Sequence, residues 1–234
     1  MLPNQFIQKL NTGINRLESI LLPSFCLNCR AETPEEPVSL RWLCLGCHGL
    51  LKPNWTKGAL TPEVDGAYHI FNYQTDILAK KLIYALKYEL VKEIASAIAV
   101  ALQKESAHLR RLIRVNRIDF IVPLPLHWRR LRDRGFNQSR LIAEEVAHIG
   151  GIGVRDGLLT RKLGLRPQAK IKRRDQRLAN IKNAFRVADA QGAGGRVILL
   201  VDDVTTTGAT LREAARAIKA AGAAKVFAFT LAQD

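Results

Sequence analysis

The chain has 234 residues, which is enough for one large domain or for a domain with a small module. Its apolar content of 47% supports a buried core, but no apolar run approaches a membrane span and the amino terminus lacks a secretory signal pattern. The net charge of +15 lies in two windows, residues 110–134 with eight arginines against two acids, and residues 161–186 with ten basic residues against one. We therefore expect a cytoplasmic protein with a polyanionic partner, either nucleic acid or a phosphate-rich ligand, the alternative being a solvated basic face.

An amphipathic helix is the first predicted element and falls within residues 1–22. Its apolar side chains recur at helical spacing, and Pro23 ends the pattern. The apolar face consists of Phe6, Ile7, Leu10, Ile14, Leu17 and Leu21. We expect this helix to pack on the segment that follows it.

The only four cysteines form two C-x2-C pairs, Cys26 with Cys29 and Cys44 with Cys47, separated by fourteen residues. Each pair predicts a knuckle that directs two thiolates to one point, and two knuckles complete a four-sulfur site for structural Zn²⁺. The spacing thus predicts a zinc-ribbon-like module over residues 23–58. A four-thiolate iron–sulfur cluster fits the same spacing. Haem attachment at the C-x-x-C-H of residues 44–48, or a redox dithiol, would leave the other pair unexplained.

A strand and two helices are predicted next. Residues 64–73 are β-prone and partly alternating, which favours a strand. Helical spacing of apolar residues then predicts one helix from Ile77 that contains Ala85-Leu86-Lys87-Tyr88, and a second helix over residues 91–112. A basic patch lies at the end of the second helix and consists of Arg110, Arg111, Arg114 and Arg117. Positive charge is favourable there because a helix C-terminus carries a partial negative charge.

A second buried strand, residues 118–122, leads into a proline-rich turn and a cluster of arginines. The turn comprises Pro123, Leu124, Pro125, Leu126 and His127, and the cluster comprises Arg129, Arg130, Arg132 and Arg134. Because guanidinium forks match phosphate oxygens, this strand end predicts an anion site. Lys87 and Asn137 are further anion or DNA candidates, and a helix is predicted over residues 139–148.

The second basic window predicts a mobile loop. Residues 155–175 carry many basic residues and little periodicity, so the segment can close over a ligand or hold a nucleic-acid strand. Residues 173–183 then favour a helix and residues 185–187 a short strand. Its anion or DNA candidates are Arg173, Arg174 and Arg177.

The most informative stretch is residues 196–210. Five uninterrupted apolar residues, 197–201, predict a strand buried on both faces of a parallel sheet. Asp202 and Asp203 follow, then a Thr/Gly loop and a helix with apolar residues at helical spacing. The free N–H groups of a helix N-terminus attract phosphate, and Gly208 lets the backbone approach it closely. The acid pair suits ribose hydroxyls, a cation or both. An acid pocket of the response-regulator type also has an acid pair but predicts no such loop.

The helix carries Leu211, Ala214, Ala215, Ile218 and Ala221 at its apolar positions, with Gly222 as its C-cap. Residues 225–231 supply a last strand. Strands that alternate with helices predict a parallel α/β sheet with right-handed crossovers.

The sequence Val-Asp-Asp-Val-Thr-Thr-Thr-Gly-Ala-Thr resembles the phosphoribosyl-pyrophosphate (PRPP) motif of type I phosphoribosyltransferases. The resemblance implies that Asp202 and Asp203 hold the ribose hydroxyls. It also implies a 5′-phosphate loop that consists of Thr206, Thr207, Gly208, Ala209 and Thr210. Some purine phosphoribosyltransferases carry an aspartate at the position of Thr206, so this chain has no assigned general base.

A wider resemblance fixes the subfamily. Three further segments and the four cysteines are similar to those of ComF/GntX-type proteins. The segments are Ala-Leu-Lys-Tyr, Val-Pro-Leu-Pro-Leu-His-Trp-Arg-Arg-Leu-Arg-Asp-Arg-Gly-Phe-Asn-Gln and Gln-Arg-Leu-Ala-Asn-Ile-Lys-Asn-Ala-Phe. The resemblance implies a pyrophosphate loop formed by Leu124, Pro125, Leu126, His127 and Arg129. It also implies a phosphoribosyltransferase-like domain over residues 59–234, Mg²⁺ with PRPP, and a role in DNA uptake or utilisation.

Two functions are consistent with this resemblance. One is a phosphoribosyltransferase, hence a glycosyltransferase, that uses PRPP or a related ribose phosphate and an unidentified acceptor. The other is a non-enzymatic adaptor that keeps the transferase fold, binds single-stranded DNA and docks a DNA-uptake ATPase, a helicase or a recombination mediator. The first cysteine lies inside a knuckle, which disfavours glutamine-dependent ammonia transfer.

Overall fold

A six-stranded sheet forms the centre of the protein in the computed structural model, which describes residues 25–34, 37, 41–58, 61–88, 94–162 and 183–234. The spatial order is β1-β2-β8-β7-β3-β4, and all neighbouring strands are parallel except β1 and β2. The strands are β1 (Thr56–Lys57), β2 (Gly66–Asn72), β3 (Phe120–Pro123), β4 (Gly153–Val154), β7 (Val197–Thr205) and β8 (Lys225–Gln233). A separate antiparallel pair consists of β5 (Leu159–Arg161) and β6 (Phe185–Val187). The predicted α/β class is thus confirmed.

Helices cover both faces of this sheet. The described helices are α1 (Leu45–Leu50), α2 (Ile77–Tyr88), α3 (Ile94–Lys104), α4 (Ser106–Asn116), α5 (Trp128–Arg134), α6 (Gln138–Gly150), α7 (Ala190–Ala193) and α8 (Ala209–Ala220). None of the helices in the described ranges is both long and apolar enough to cross a membrane.

Alternation along β7 explains why both faces are apolar. Leu199 and Val201 point into a core formed with α2, α3, α4 and α6, whereas Ile198 and Leu200 point into a second core with α8. All four side chains are fully buried. A continuous apolar run is therefore what this central strand requires.

The four-cysteine segment packs into the first of these cores. Cys26 and Cys47 are buried with Leu43 and Leu51 in the same cluster as the apolar faces of α2 and α3. Lys104 of α3 donates from its Nζ to the carbonyl oxygens of His48 and Leu51, at 2.8 and 2.9 Å. The segment is thus joined to the sheet domain by apolar packing and by hydrogen bonds.

Three sequence predictions differ from the structure. The prediction of a single helix over residues 91–112 is wrong. The chain turns at Glu105 (φ −98°, ψ 12°), and two helices, α3 and α4, lie on either side of this residue. The loop predicted over residues 155–175 contains β5, which pairs with β6. The strand predicted over residues 197–201 continues to Thr205, because β8 pairs with it as far as Gln233. The predicted helices over 1–22 and 173–183, except Asn183, lie outside the described residues, as do Arg173, Arg174 and Arg177.

Candidate functional site

The acid pair lies where one neighbour of β7 ends. β3 stops at Pro123, opposite Val201, whereas β8 stays paired with β7 as far as Thr205. Asp202 and Asp203 therefore border a crevice at the carboxyl ends of parallel strands. In open α/β sheets this is where ligands bind.

Asp202 is a partly buried acid that accepts from two hydrogen-bond donors. Its Oδ1 accepts from the Ser139 hydroxyl at 2.8 Å and from the Asp203 backbone N–H at 2.9 Å. Burial and the neighbouring Asp203 carboxylate raise the pKa of Asp202 to about 7, against the effect of those donors. At neutral pH this group is thus close to its own titration point.

Asp203 forms an ion pair with Lys87. Lys87 Nζ lies 3.0 Å from Asp203 Oδ1, and their side chains are only 17% and 11% exposed. Asp203 Oδ1 also accepts from the Val204 N–H at 2.6 Å. Lys87 is an anion or DNA candidate by sequence, but here it neutralises one member of the acid pair.

Three consecutive polar residues at the start of α6 hold the walls of the crevice together. Asn137 Nδ2 donates to the Leu124 carbonyl at 3.1 Å, and the buried Gln138 donates to the Leu86 carbonyl at 3.3 Å. Ser139 reaches Asp202, as described above. The sequence motifs do not single out Gln138 or Ser139 as site residues, although Gln138 ends the motif that begins at Val122.

The internal contacts also involve predicted anion residues. Asn137 accepts from the Ser139 N–H at 3.1 Å, which caps α6, and Arg134 Nη1 donates to Gln138 Oε1 at 3.0 Å. These two predicted anion candidates therefore make structural contacts. Arg130, Arg132 and Arg129 remain exposed on α5.

The Thr/Gly loop follows β7 directly. Gly208 has φ +71° and is the N-cap residue of α8, a left-handed conformation that favours glycine. Because glycine has no side chain to cap the helix, the first-turn N–H groups of α8 remain available to a ligand. Thr206 and Thr207 are exposed, and Ala209 and Thr210 form the first turn.

The loop after β3 forms the opposite side of the crevice. The Leu124 N–H donates to the Val201 carbonyl at 2.9 Å, which fixes the loop to β7. Pro125, Leu126 and His127 are partly exposed, and His127 accepts from the Arg129 N–H at 3.3 Å. Burial and the charges of Arg161, Arg129 and Arg130 lower the pKa of His127.

Arg161 is a site residue that sequence reasoning missed. Burial and the charge of Arg130 lower its pKa, whereas the Asp202 carboxylate acts in the opposite direction. Its charge therefore acts both on the loop after β3 and on the acid pair. The sequence offered only its membership in a basic window.

The four cysteines form one cluster, in which all sulfur atoms lie within 4.8 Å of one another. Burial opposes ionisation of Cys26, but backbone hydrogen bonds from Cys29, Cys44 and Asn28 lower its pKa to about 6. Asn28 Nδ2 donates to Cys47 Sγ at 3.4 Å, and Lys81 Nζ donates to Asn28 Oδ1 at 3.0 Å. Four convergent soft ligands with N–H donors around them fit a closed metal site.

The crevice and the cysteine cluster define the class of this protein. An acid pair at the end of a central parallel strand, followed by a glycine-containing loop at a helix N-terminus, is a phosphoribosyltransferase-like arrangement. The family model described as the phosphoribosyl transferase domain matches residues 169–234.

Similar proteins carry names that point to DNA utilisation and competence. The chain is 38% identical over 145 residues to the DNA utilization protein YhgH of Salmonella typhimurium, which covers 62% of this chain and 63% of that protein. It is 24% identical to competence protein F of Haemophilus influenzae (89% and 84% covered) and 36% identical to competence protein ComFC of Bacillus subtilis (47% and 43% covered). These matches confirm the resemblance to phosphoribosyltransferase-like proteins of the ComF type. It spans about 63% of the length of the YhgH proteins that it matches.

Proposed function

We propose that this protein binds PRPP or a related ribose phosphate in the crevice and acts in the cytoplasm in DNA uptake or utilisation. The observation that carries the proposal is the acid pair bordering the same crevice as the Gly208 loop. Carboxylates accept hydrogen bonds from ribose hydroxyls, and the N-terminus of α8 attracts a 5′-phosphate. The names of the relatives, a DNA utilization protein and a competence protein, support a role in DNA uptake or utilisation.

The opposite wall suits a pyrophosphate. Residues 124–129 would form the pyrophosphate loop, and Arg130 and Arg161 would add positive charge near His127. Mg²⁺ would enter with the pyrophosphate and neutralise part of its charge. If the protein is a transferase, these cations stabilise the leaving pyrophosphate while the ribose develops positive charge. The acceptor and a general base are unassigned.

We further propose Zn²⁺ as the resident ion of the cysteine cluster. Thiolates are its preferred ligands, and a closed four-sulfur set has a structural role. Without a metal, burial raises the pKa of Cys47 to about 12, so its thiol stays protonated at neutral pH. A bound cation would supply the charge that a buried thiolate needs.

Calorimetric titration with PRPP and Mg²⁺ tests the proposed ligand. We expect the wild-type protein to bind and the Asp202→Asn, Asp203→Asn variant to bind at least about tenfold more weakly, because the neutral amides lose charge-assisted hydrogen bonds to ribose. Asp156→Asn is the matched control, since Asp156 is an exposed acid that pairs with Arg140 at 2.9 Å. Absence of wild-type binding, or equal binding by the double variant, would contradict the proposal.

A second candidate function is binding of single-stranded DNA, and an exposed aromatic–arginine face favours it. This face comprises five exposed residues, Tyr84, Tyr88, Trp128, Arg129 and Arg132, and the partly buried Arg134. Tyr84 and Tyr88 lie with ring centroids 4.7 Å apart, and Arg134 lies 5.2 Å from the Tyr88 centroid. Arg129 and Arg132 lie 5.3 and 5.5 Å from the Trp128 centroid. Exposed rings with arginines beside them are suited to stacked bases and phosphates.

Fluorescence anisotropy with a labelled oligo-dT tests this face. We expect Trp128→Ala with Arg132→Ala to weaken binding about tenfold or more, because base stacking contributes about 1–3 kcal/mol for each base. The control, Arg111→Ala with Arg114→Ala, removes two exposed arginines from α4, a helix outside this face. Equal losses in the two double variants would mean diffuse charge attraction and would contradict a stacking face.

A further inference from the structure

The two acids of the crevice are each held by only one of their carboxylate oxygens. Asp202 Oδ1 accepts from the Ser139 hydroxyl at 2.8 Å and from the Asp203 N–H at 2.9 Å. Asp203 Oδ1 lies 3.0 Å from Lys87 Nζ and accepts from the Val204 N–H at 2.6 Å. Among the residues that the structure describes, no donor contacts Oδ2 of either acid. Each carboxylate therefore keeps one acceptor oxygen for a ligand.

The two side chains that hold these oxygens come from helices outside the acid-pair segment. Ser139 is buried in the first turn of α6, and Lys87 lies in the last turn of α2. Their neighbours in the chain join the two helices, since the buried Gln138 donates to the Leu86 carbonyl at 3.3 Å. Packed helices, and not a loop, therefore fix the position of both side chains relative to the acids.

We propose that Ser139 and Lys87 are positioning residues, which hold Oδ1 of each acid so that the two Oδ2 atoms accept from neighbouring hydroxyls of the sugar. A sugar that lacks one of these hydroxyls leaves an acceptor without a donor, which costs affinity. Because the sugar of DNA lacks the 2-hydroxyl group, a crevice of this kind selects ribose phosphates and rejects DNA itself. This inference rests on the proposed function and adds the residues that determine the choice of sugar.

The charges around Asp202 give the two positioning residues a measurable signature. Burial and the Asp203 carboxylate raise the pKa of Asp202, whereas the Ser139 hydroxyl and the Lys87 ammonium favour its ionised form. Arg161 of β5 is a further charged group that interacts with this acid. A sugar hydroxyl donates to the carboxylate, so affinity for a ribose phosphate is expected to rise as the pH increases through about 7. Loss of either positioning side chain moves this rise to higher pH, whereas a purely structural defect weakens binding equally at every pH.

Titrations of the full chain with ribose 5-phosphate and 2-deoxyribose 5-phosphate, repeated over a range of pH, test the inference. We expect the wild-type protein to bind the ribose compound at least about tenfold more tightly. Ser139→Ala and Lys87→Met are each expected to move the rise in affinity upward by about one pH unit. In the double variant the preference for ribose is expected to fall below about threefold. Inorganic phosphate, which needs only the Thr/Gly loop, is expected to bind all these proteins alike.

The matched control is Lys80→Met, because Lys80 is exposed on the same helix as Lys87 and this variant is expected to bind both sugars like the wild type. Melting temperature and phosphate binding show that each variant is folded. The inference is overturned if the double variant keeps the wild-type preference, or if the single variants weaken binding without a shift in pH. PRPP binding by a wild-type protein that does not discriminate between the two sugars contradicts only this inference. A wild-type protein that binds neither PRPP nor ribose 5-phosphate contradicts the proposed function, and this inference with it.

Discussion

Replacing Cys47 with serine is expected to remove the proposed zinc ion and to lower the melting temperature by more than about 10 °C. Structural zinc binding is folding free energy in small modules, and losing one of four ligands opens the site. Cys47 is also buried in the same apolar cluster as Leu43 and Leu51, so loosening the module exposes part of the shared core. Metal analysis by mass spectrometry, together with thermal unfolding followed by circular dichroism, measures both effects.

Leu45→Ser is the matched control for Cys47→Ser. Leu45 lies between Cys44 and Cys47 in the chain, but its side chain is 74% exposed and contributes no ligand. We expect this variant to keep one zinc ion for each chain and nearly the wild-type melting temperature. A Cys47→Ser protein that retains zinc and stability would contradict the closed four-sulfur site. Iron and sulfide in the wild-type protein would show an iron–sulfur cluster instead.

Asp202→Asn is expected to stabilise the folded protein at pH 8 by about 2–4 kcal/mol. The folded state raises the pKa of Asp202 from an ordinary 3.8 to about 7, mainly by burial. Between these values the unfolded chain has released a proton that the folded protein retains, so the free energy of unfolding falls as the pH rises. This decrease in the free energy of unfolding is complete above about pH 7. The Asp202→Asn protein does not show it, because the amide does not titrate.

Urea unfolding of both proteins at pH 8 and pH 5 measures this effect. The advantage of Asp202→Asn is expected to shrink at pH 5, where the folded wild-type protein has Asp202 protonated. Asp156→Asn provides the comparison, because exposed ion pairs contribute about 0–1 kcal/mol and this one is expected to show no such trend. A destabilised Asp202→Asn protein, or a gain that is the same at both pH values, would show that Asp202 is not a buried acid of raised pKa. A gain in stability combined with loss of ligand binding would identify a residue retained for function.

Much of the fold could be predicted because its strongest signals are local. The apolar run at 197–201, the two acids and the Thr/Gly loop follow one another in the chain, so β7, the acid pair and the N-terminus of α8 could be recognised together. The spacing of the two C-x2-C pairs is likewise enough to predict that the four sulfur atoms form one cluster. The break at Glu105 has no such signal, since apolar residues recur at helical spacing on both sides of it.

The contacts inside the crevice depend on residues that are distant in sequence. Ser139 meets Asp202 across 63 positions, and Lys87 meets Asp203 through an ion pair that neither local motif contains. The sequence predicts a loop at Arg161, because the strand that ends there is only three residues long and lies next to a basic segment with little periodicity. Composition predicts an anion-binding role for the arginines of residues 110–134 as a group. It could not separate those that make internal contacts, such as Arg134, from those that stay exposed.

Helix α2 limits where this protein can be divided or recombined with a relative. Lys81, near its middle, holds the asparagine that contacts Cys47, and Lys87, near its end, holds Asp203. These two lysines are six positions apart, about 9 Å along the helix axis. A chimera that exchanges the cysteine module at residue 58 would take Asn28 from one parent and Lys81, which donates to it, from the other. A junction placed beyond Tyr88 takes both Asn28 and Lys81 from one parent. Lys87 and Asp203 then come from different parents, so both parents must have residues that can form this ion pair.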